Sequence, residues 1–178
     1  MKRALPLIIG LLTLSFSQVS AQISVGGEPL SFRSNPQLAD DQIIEIELGM
    51  IDYETIQAED EANEAADGIP RYGVHRELNI GLNNSGTWVI LPNGDRVWKL
   101  KLSSYEAQAM ALLFSAFDLP KGGMFYVYSE DRTNWIGGFN HTNNSDGGNY
   151  ATSLVFDDAI ILEYYEPASK AGRGVIEI

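Results

Sequence analysis

The chain has 178 residues, of which 44% are hydrophobic and 20% charged, so it is long enough to bury one core of ordinary size. Its formal net charge of −12 argues against nucleic acid or an anionic membrane as a partner, because phosphate groups are bound by basic patches. The chain contains no cysteine, which excludes thiol catalysis, disulfides and cysteine zinc sites.

The first residues are organised like an export signal. Lys2 and Arg3 precede the apolar run Leu5 to Leu14, and Val19-Ser20-Ala21 is a small-residue cleavage site. The apolar run is shorter than the about 20 residues that span a bilayer. We therefore predict a signal peptide over 1–21 and a secreted, cell-surface or periplasmic protein with no membrane insertion after cleavage. An uncleaved signal anchor is the alternative.

Residues 22–70 form an N-terminal segment that differs from the rest of the chain. Glycines and prolines interrupt its beginning, and 43–50 is a short strand-like run. Residues 52–67 are acidic and rich in Ala and Glu, with good helix propensity but a thin apolar face. This pattern predicts a solvated linker or a short helix, and an acidic docking tail is the alternative.

From residue 71 onward, short apolar runs are bounded by Gly, Pro, Asn or Asp, which is typical of β-strands. The dipeptide Asn93-Gly94 is a strong hairpin signal. In the strand that follows, Trp98 and Leu100 alternate with Lys99 and Lys101, as expected for a half-buried strand. The predicted strands are 74–82, 87–91, 96–103, 112–119, 124–128, 135–140, 159–165 and 175–178.

These strands recur at short spacing without long intervening helices. The pattern predicts an all-β fold, namely an antiparallel β-sandwich of jelly-roll type over 71–178, rather than a parallel α/β sheet. A signal peptide and an acidic, partly helical segment would precede this single domain.

Groups able to carry out catalysis are few. His75 and His141 are the only histidines, and no Gly-x-Ser-x-Gly motif accompanies them. Ser85 and Ser145 lie in turn-like contexts. A serine–histidine–acid triad would need one of the two imidazoles between a serine and an acid, and nothing local supports that arrangement.

The motif LEYYEP offers two carboxylates, Glu163 and Glu166. A strand acid of this kind is expected to face outward or to pair with an arginine such as Arg96, rather than to act as a general acid. The loop 143–149 contains Asn144 and Asp146, which make a weak calcium-loop candidate without the alternation of an EF-hand. No other metal or cofactor is predicted.

Aromatic residues provide the best indication of a binding surface. Adjacent residues of a strand point to opposite faces, so Tyr164 and Tyr165 cannot both lie in one core. Some aromatic area must lie on the outer face of its sheet, covered by the N-terminal segment or by another domain. The candidate binding residues are Trp135, His141, Tyr126 and Tyr128.

A set of short motifs also carries a family resemblance. They are Gly86-Thr87-Trp88, LPNGDRVW over 91–98, Leu119-Pro120, FYVY over 125–128, Gly138-Phe139, Asn143-Asn144, Tyr150-Ala151-Thr152 and ILEYYEP over 161–167. Together they resemble the N-terminal non-catalytic region of secreted, lysyl-endopeptidase-like, trypsin-type serine proteases of Bacteroidetes. The resemblance extends in looser form over 72–178.

The resemblance implies a pro-region or accessory β-domain, followed in the family by a chymotrypsin-like domain. The family's catalytic His, Asp and Ser would lie beyond Ile178, and neither His75 nor His141 matches their context. The expected function is that of a non-catalytic domain that assists folding of the protease or masks it, with a serine protease domain as partner in cis or in trans. The alternatives are a stand-alone carbohydrate- or surface-binding module centred on Trp135, or intrinsic peptidase activity.

Overall fold

The computed structural model describes residues 24–33, 36–39, 43–144 and 150–178. The predicted signal peptide over 1–21 and the calcium-loop candidate Asp146 lie outside these ranges. The described chain is rich in β-structure and contains one α-helix. The elements are β1 (Glu45–Leu48), α1 (Tyr53–Ala65), β2 (Thr87–Ile90), β3 (Arg96–Ser104), β4 (Leu113–Phe114), β5 (Ala116–Asp118), β6 (Met124–Ser129), β7 (Trp135–Phe139), β8 (Tyr150–Ala151), β9 (Ala159–Glu166) and β10 (Val175–Glu177).

A main sheet of six strands organises the molecule. Its order is β1-β3-β9-β6-β7, and β2 pairs with β3 beside the first half of that strand. All pairs are antiparallel except β1, which runs parallel to β3. The hairpin joining β2 to β3 turns at Asn93-Gly94, as the sequence predicts, with a positive φ at Gly94. Strands β3 and β9 therefore lie inside the sheet and have neighbours on both sides.

One face of the main sheet carries the core, which several shorter elements cover. Strand β10 pairs with β5, and β4 pairs with β8. Their apolar side chains pack against those of β3, β6 and β9 in one cluster. Its buried members include Trp98, Leu100, Leu102, Leu112, Phe114, Phe117, Phe125, Val127, Ile160, Leu162, Tyr164 and Ile176.

Aromatic rings fill the part of this core beneath β4 and β5. Phe117 stacks on Tyr150 with ring centroids 4.6 Å apart, and Phe114 meets Phe125 edge-on at 5.6 Å. Offset stacks and edge contacts of this kind each add about 1 kcal/mol beyond the burial of area. Burial also raises the pKa of Tyr150 to about 12.

Two of the predicted strands are only partly correct. Residues 74–82 are extended at their end, where Ile80 and Ile178 exchange backbone hydrogen bonds of 3.3 and 2.9 Å, but 74–79 form no strand. The predicted strand 112–119 is divided at Ser115, whose N–H donates to the Glu177 carbonyl at 2.9 Å. Both differences depend on β10, which is distant in sequence from the two segments. Each segment pairs with β10 only where the two chains lie side by side.

The acidic segment 52–67 contains the helix α1. Asp52 caps its N-terminus by accepting a 3.2 Å hydrogen bond from the Thr55 N–H. No residue of α1 is buried, in agreement with its thin apolar face. Arg71 holds the following segment to the helix through Glu59 and Asp60. In the described ranges, no helix has the length and apolar character required to cross a bilayer.

A buried carboxylate connects the end of β9 to the start of β10. Glu166 is 0% exposed and accepts hydrogen bonds from Arg96 Nε at 2.7 Å, from Tyr164 Oη at 3.0 Å, and from the N–H groups of Gly172 and Gly174 at 2.9 and 2.8 Å. Burial alone raises the pKa of Glu166, but these hydrogen bonds outweigh it and hold the pKa below its ordinary value. The expected pairing of a LEYYEP acid with Arg96 is thus confirmed for Glu166.

A second contact lies beside the first. Tyr165 Oη donates to Asp95 Oδ2 at 2.6 Å, and the Ala168 N–H donates to Asp95 Oδ1 at 2.8 Å. These two bonds hold the pKa of Asp95 below its usual range. Burial, followed by the hydrogen bond to Asp95, raises the pKa of Tyr165 to about 12. The motifs LPNGDRVW and LEYYEP therefore meet at two points on neighbouring strands.

We predict that Glu166→Gln destabilises the protein by about 2 kcal/mol at neutral pH, because hydrogen bonds to a buried charge are among the stronger ones. The lowered pKa of Glu166 means that its contribution is present above about pH 4.5 and is lost as the pH falls through the folded-state pKa. Urea unfolding of both proteins across this range should show the difference shrinking on acidification. The exposed Glu177→Gln serves as the control and should match wild type at every pH. A difference between E166Q and wild type that does not depend on pH would contradict the assignment.

Candidate functional site

The candidate binding residues Tyr126 and Tyr128 lie on the face of the main sheet opposite the core, here called the outer face. Residues 24–33 and 36–38, here called the N-terminal strap, lie across this face. The sequence predicts that the outer aromatics are covered by the N-terminal segment or by another domain, and in the structure the N-terminal segment covers them.

A buried carboxylate and a buried ammonium group fix the strap to the sheet. Glu163 is 1% exposed and accepts from the Leu30 N–H at 2.5 Å and the Ser31 N–H at 3.3 Å. Lys99 stands directly opposite Glu163 in the β3–β9 register, is 2% exposed, and donates from Nζ to the Leu38 carbonyl at 3.0 Å. Because buried charges require partners, both ends of the strap are held by groups that would otherwise be costly to bury.

The aromatic side chains of the outer face complete this attachment. Tyr128 is fully buried, and its hydroxyl lies 2.9 Å from Ser31 Oγ and 3.4 Å from Glu163 Oε2. Tyr126 is also buried and donates to the Gly26 carbonyl at 3.3 Å. Burial raises the pKa of Tyr126. The strap thus covers both tyrosines of the predicted binding surface.

Trp135 remains partly open to solvent. Its side chain is 46% exposed, its Nε1 donates to the Gly27 carbonyl at 3.3 Å, and its ring meets Phe32 edge-on at 5.8 Å. The ring borders a cavity of about 350 Å³ whose other lining residues are Ser24, Gly26, Gly27, Ile136, Gly137, Phe139 and Ser153. Trp135, the predicted centre of a binding surface, therefore has a half-exposed ring beside glycine residues.

The remaining candidate residues lie beyond β7. His141 is exposed and begins a short 3-10 helix, His141–Asn143. The Asn144 side chain is directed to β5, accepting from the Leu119 N–H at 2.8 Å and donating to the Leu119 carbonyl at 2.9 Å. Among the residues that the structure describes, no group of three or more His, Asp and Glu side chains is arranged to hold a metal ion.

A second concave feature is a cleft of about 800 Å³, here called the apolar cleft. It lies between residues 72–78 on one side and 109–115 on the other, and Leu102 and Ile160 of the main sheet contribute to its lining. Further aliphatic lining residues are Leu48, Val74, Leu78, Met110, Leu112, Leu113, Leu154 and Ile178. Its volume falls within the range of about 300–1,000 Å³ typical of ligand pockets.

The lining also contains charged and polar residues, namely Arg76 and the exposed His75 and Glu77 on either side of it. Arg76 is partly buried between Val74 and Leu78, and one of its terminal nitrogens donates to the Gly49 carbonyl. Its Nε is buried, and no acceptor among the described residues lies within hydrogen-bonding distance. Arg76 thus brings a positive charge to the wall of the cleft, with one buried donor left unsatisfied.

The sequence contains signals both for the charged residues under the strap and for the first wall of the cleft. In β3 and β9, Lys99 and Glu163 each lie between two apolar neighbours, and the register places them opposite each other. In 74–78, apolar or cationic side chains alternate with the exposed His75 and Glu77. The cleft itself depends on where 109–115 lies, and pattern analysis does not give that position.

We predict that Glu163→Ala releases the strap, because it removes the acceptor of the Leu30 and Ser31 N–H groups. Leaving a buried donor unsatisfied costs about 1–3 kcal/mol. Amide hydrogen exchange at Leu30 and Ser31 should accelerate strongly, together with a lower melting temperature. Glu130→Ala, which alters an exposed carboxylate, is the control and should leave both amides protected. Unchanged protection in E163A would show that the strap is held by other contacts.

Two comparisons with known proteins were negative. No protein-family model matches the chain, and no solved structure matches it. Its function must therefore be inferred from the residues and geometry described above.

Proposed function

We propose that this chain is the non-catalytic pro- or accessory domain of a secreted, trypsin-type, lysyl-endopeptidase-like serine protease, and that it assists folding of the protease or masks it. One observation carries the proposal. The motifs LPNGDRVW and LEYYEP, two of those that together carry the resemblance, join each other through Asp95–Tyr165 and Arg96–Glu166. Two motifs that depend on each other structurally are stronger evidence of a shared domain than two independent matches.

The proposal includes a jelly-roll-like β-sandwich and cleavage of the signal peptide over 1–21. It is supported by the core that the main sheet shares with β4, β5, β8 and β10. It is also supported by the roles of the two LEYYEP acids. Glu163 binds the strap and Glu166 binds the turn before β10, so both carboxylates make structural hydrogen bonds rather than facing an open site.

Charge supports a basic partner. The chain carries a formal net charge of −12, and α1 presents exposed acids, among them Glu54, Glu61 and Glu64. Complementary potentials of this kind accelerate association and favour partners of the opposite charge. A domain with this surface suits a protease with a basic face.

The test mixes residues 22–178 with the mature lysine-specific protease. We expect slower hydrolysis of a fluorogenic lysyl substrate and a higher refolding yield of the protease, with both effects weakening as salt rises because the attraction is electrostatic. The domain alone should not turn the substrate over. The triple variant Glu54→Lys, Glu61→Lys, Glu64→Lys should be less effective, while unfolding of the β-core should change little because no residue of α1 is buried. Neither inhibition nor improved refolding would remove this proposal.

A second candidate function is that of a carbohydrate- or surface-binding module, favoured by the exposed ring of Trp135 above its cavity. Aromatic faces in such positions offer large apolar contact area beside backbone polar groups. On this hypothesis, a glycan array should detect binding that is lost in Trp135→Ala. The exposed Tyr105→Ala is the matched control and should bind as wild type does. An array without signal, with or without calcium, would exclude this candidate.

A further inference from the structure

Strand β10 runs directly toward the apolar cleft. On one side it pairs with β5, in the register Glu177↔Ala116. On its other side it pairs with 80–82, where Gly81 bridges to Glu177 and Ile80 exchanges hydrogen bonds with Ile178. Ile178 is itself part of the cleft lining. The cleft therefore occupies the line along which a strand in register with β10 would run.

The first wall of the cleft has the form of an unpaired strand edge. Both backbone groups of Ile80 face Ile178, and backbone groups in a strand repeat their direction every second residue. The N–H and C=O of Leu78, Arg76 and Val74 therefore face the cleft. Burial alternates with the same period, since these three side chains are partly buried while His75 and Glu77 are exposed. In the ranges the structure describes, none of these three backbones has a hydrogen-bond partner.

The second wall has a matching edge in β4. Both backbone groups of Leu112 are bonded to Thr152, the residue after β8. The Leu112 carbonyl accepts from the Thr152 N–H at 3.0 Å, and the Leu112 N–H donates to Thr152 Oγ1 at 2.9 Å. The next residue, Leu113, therefore points its N–H and C=O away from β8 and toward the cleft. The Leu113 side chain is 58% exposed, which is a high value for a leucine in a sheet. Two strand edges with unused backbone groups thus flank one aliphatic channel.

We propose that the apolar cleft binds one extended peptide strand of a partner polypeptide, which lies in line with β10 and antiparallel to 74–78. A peptide can satisfy the backbone groups of both walls, whereas an aliphatic ligand would leave them unpaired. Exposed edges of this kind attract strands, and seven residues of extended chain, the length of 72–78, span about 23 Å at about 3.3 Å per residue.

The lining defines the chemistry of this strand. Residues directly opposite each other in an antiparallel pair share a face, so residues opposite Val74 and Leu78 point toward Leu102 and Ile160 and must be apolar. The residue opposite Arg76 lies beside a guanidinium whose hydrogen-bond partner is the neutral Gly49 carbonyl, and a carboxylate would supply the opposite charge. The binding strand therefore has the pattern apolar-x-acidic-x-apolar. This inference goes beyond the proposed function, since it holds for any partner that supplies such a strand.

The experiment uses residues 22–178 and a fluorescein-labelled octapeptide containing Val-Thr-Glu-Thr-Val, followed by fluorescence anisotropy. We expect saturable binding that weakens at least tenfold when the peptide carries Lys in place of Glu. The Arg76→Glu variant should reverse this preference and bind the Lys peptide better, which a purely structural role of Arg76 would not produce. Arg173→Glu makes the same change in net charge at an exposed position and should retain the preference for the Glu peptide.

A second arm tests backbone pairing. Peptides N-methylated at the two Val and the Glu positions lose the donors that face 74–78 and should not bind, whereas methylation at a residue outside the five should have no effect. Leu113→Asp should abolish binding, and Ile90→Asp, which alters an exposed apolar residue of β2, should not. Absence of peptide binding, equal binding of the N-methylated peptide, or binding of dodecanoate in preference to the peptide would each overturn the proposal. None of these results bears on the protease experiment, which needs no peptide.

Discussion

The structure depends on the burial of two carboxylates in one central strand. Strand β9 has neighbours on both sides and cover on both faces, so Glu163 and Glu166 cannot reach water and must be satisfied within the protein. Each accepts hydrogen bonds from a segment outside β9. Glu163 accepts hydrogen bonds from two N–H groups of the strap, and Glu166 accepts them from the N–H groups of Gly172 and Gly174. One strand thus holds both the beginning and the end of the described chain.

As a result, one part of the domain surface is covered by the N-terminal strap, and another part stays open. The outer face, with its tyrosines and buried charges, is covered by contacts within the chain, which leaves Trp135 at its margin. The apolar cleft has no such cover in the described ranges. A binding partner therefore has more accessible surface at the cleft than on the outer face, which the aromatic pattern of the sequence indicates as the binding surface.

The local pattern of the sequence predicted the inner strands well because alternation and turn chemistry determine them directly. Trp98 and Leu100 face the core, and the turn at Gly94 joins β2 to β3 as expected. Lys99 lies on the other face of this half-buried strand, as expected, but its burial is not predicted, because the covering Leu38 carbonyl that accepts its hydrogen bond lies some sixty residues away. The strand predicted over 74–82 pairs only at its end, since its neighbour β10 reaches it no further than Ile80. Contacts between distant segments decide both cases, and composition and periodicity carry no information on them.

The distance in sequence between the strap and its acceptor also has a kinetic consequence. The Leu30 N–H and its partner Glu163 are separated by 133 positions, so the strap has no binding site until nearly the whole domain has been synthesised. Contacts of such long range form late and slow the search for the native state. A polypeptide that emerges with its N-terminus first will therefore keep these residues unstructured until β9 has been synthesised.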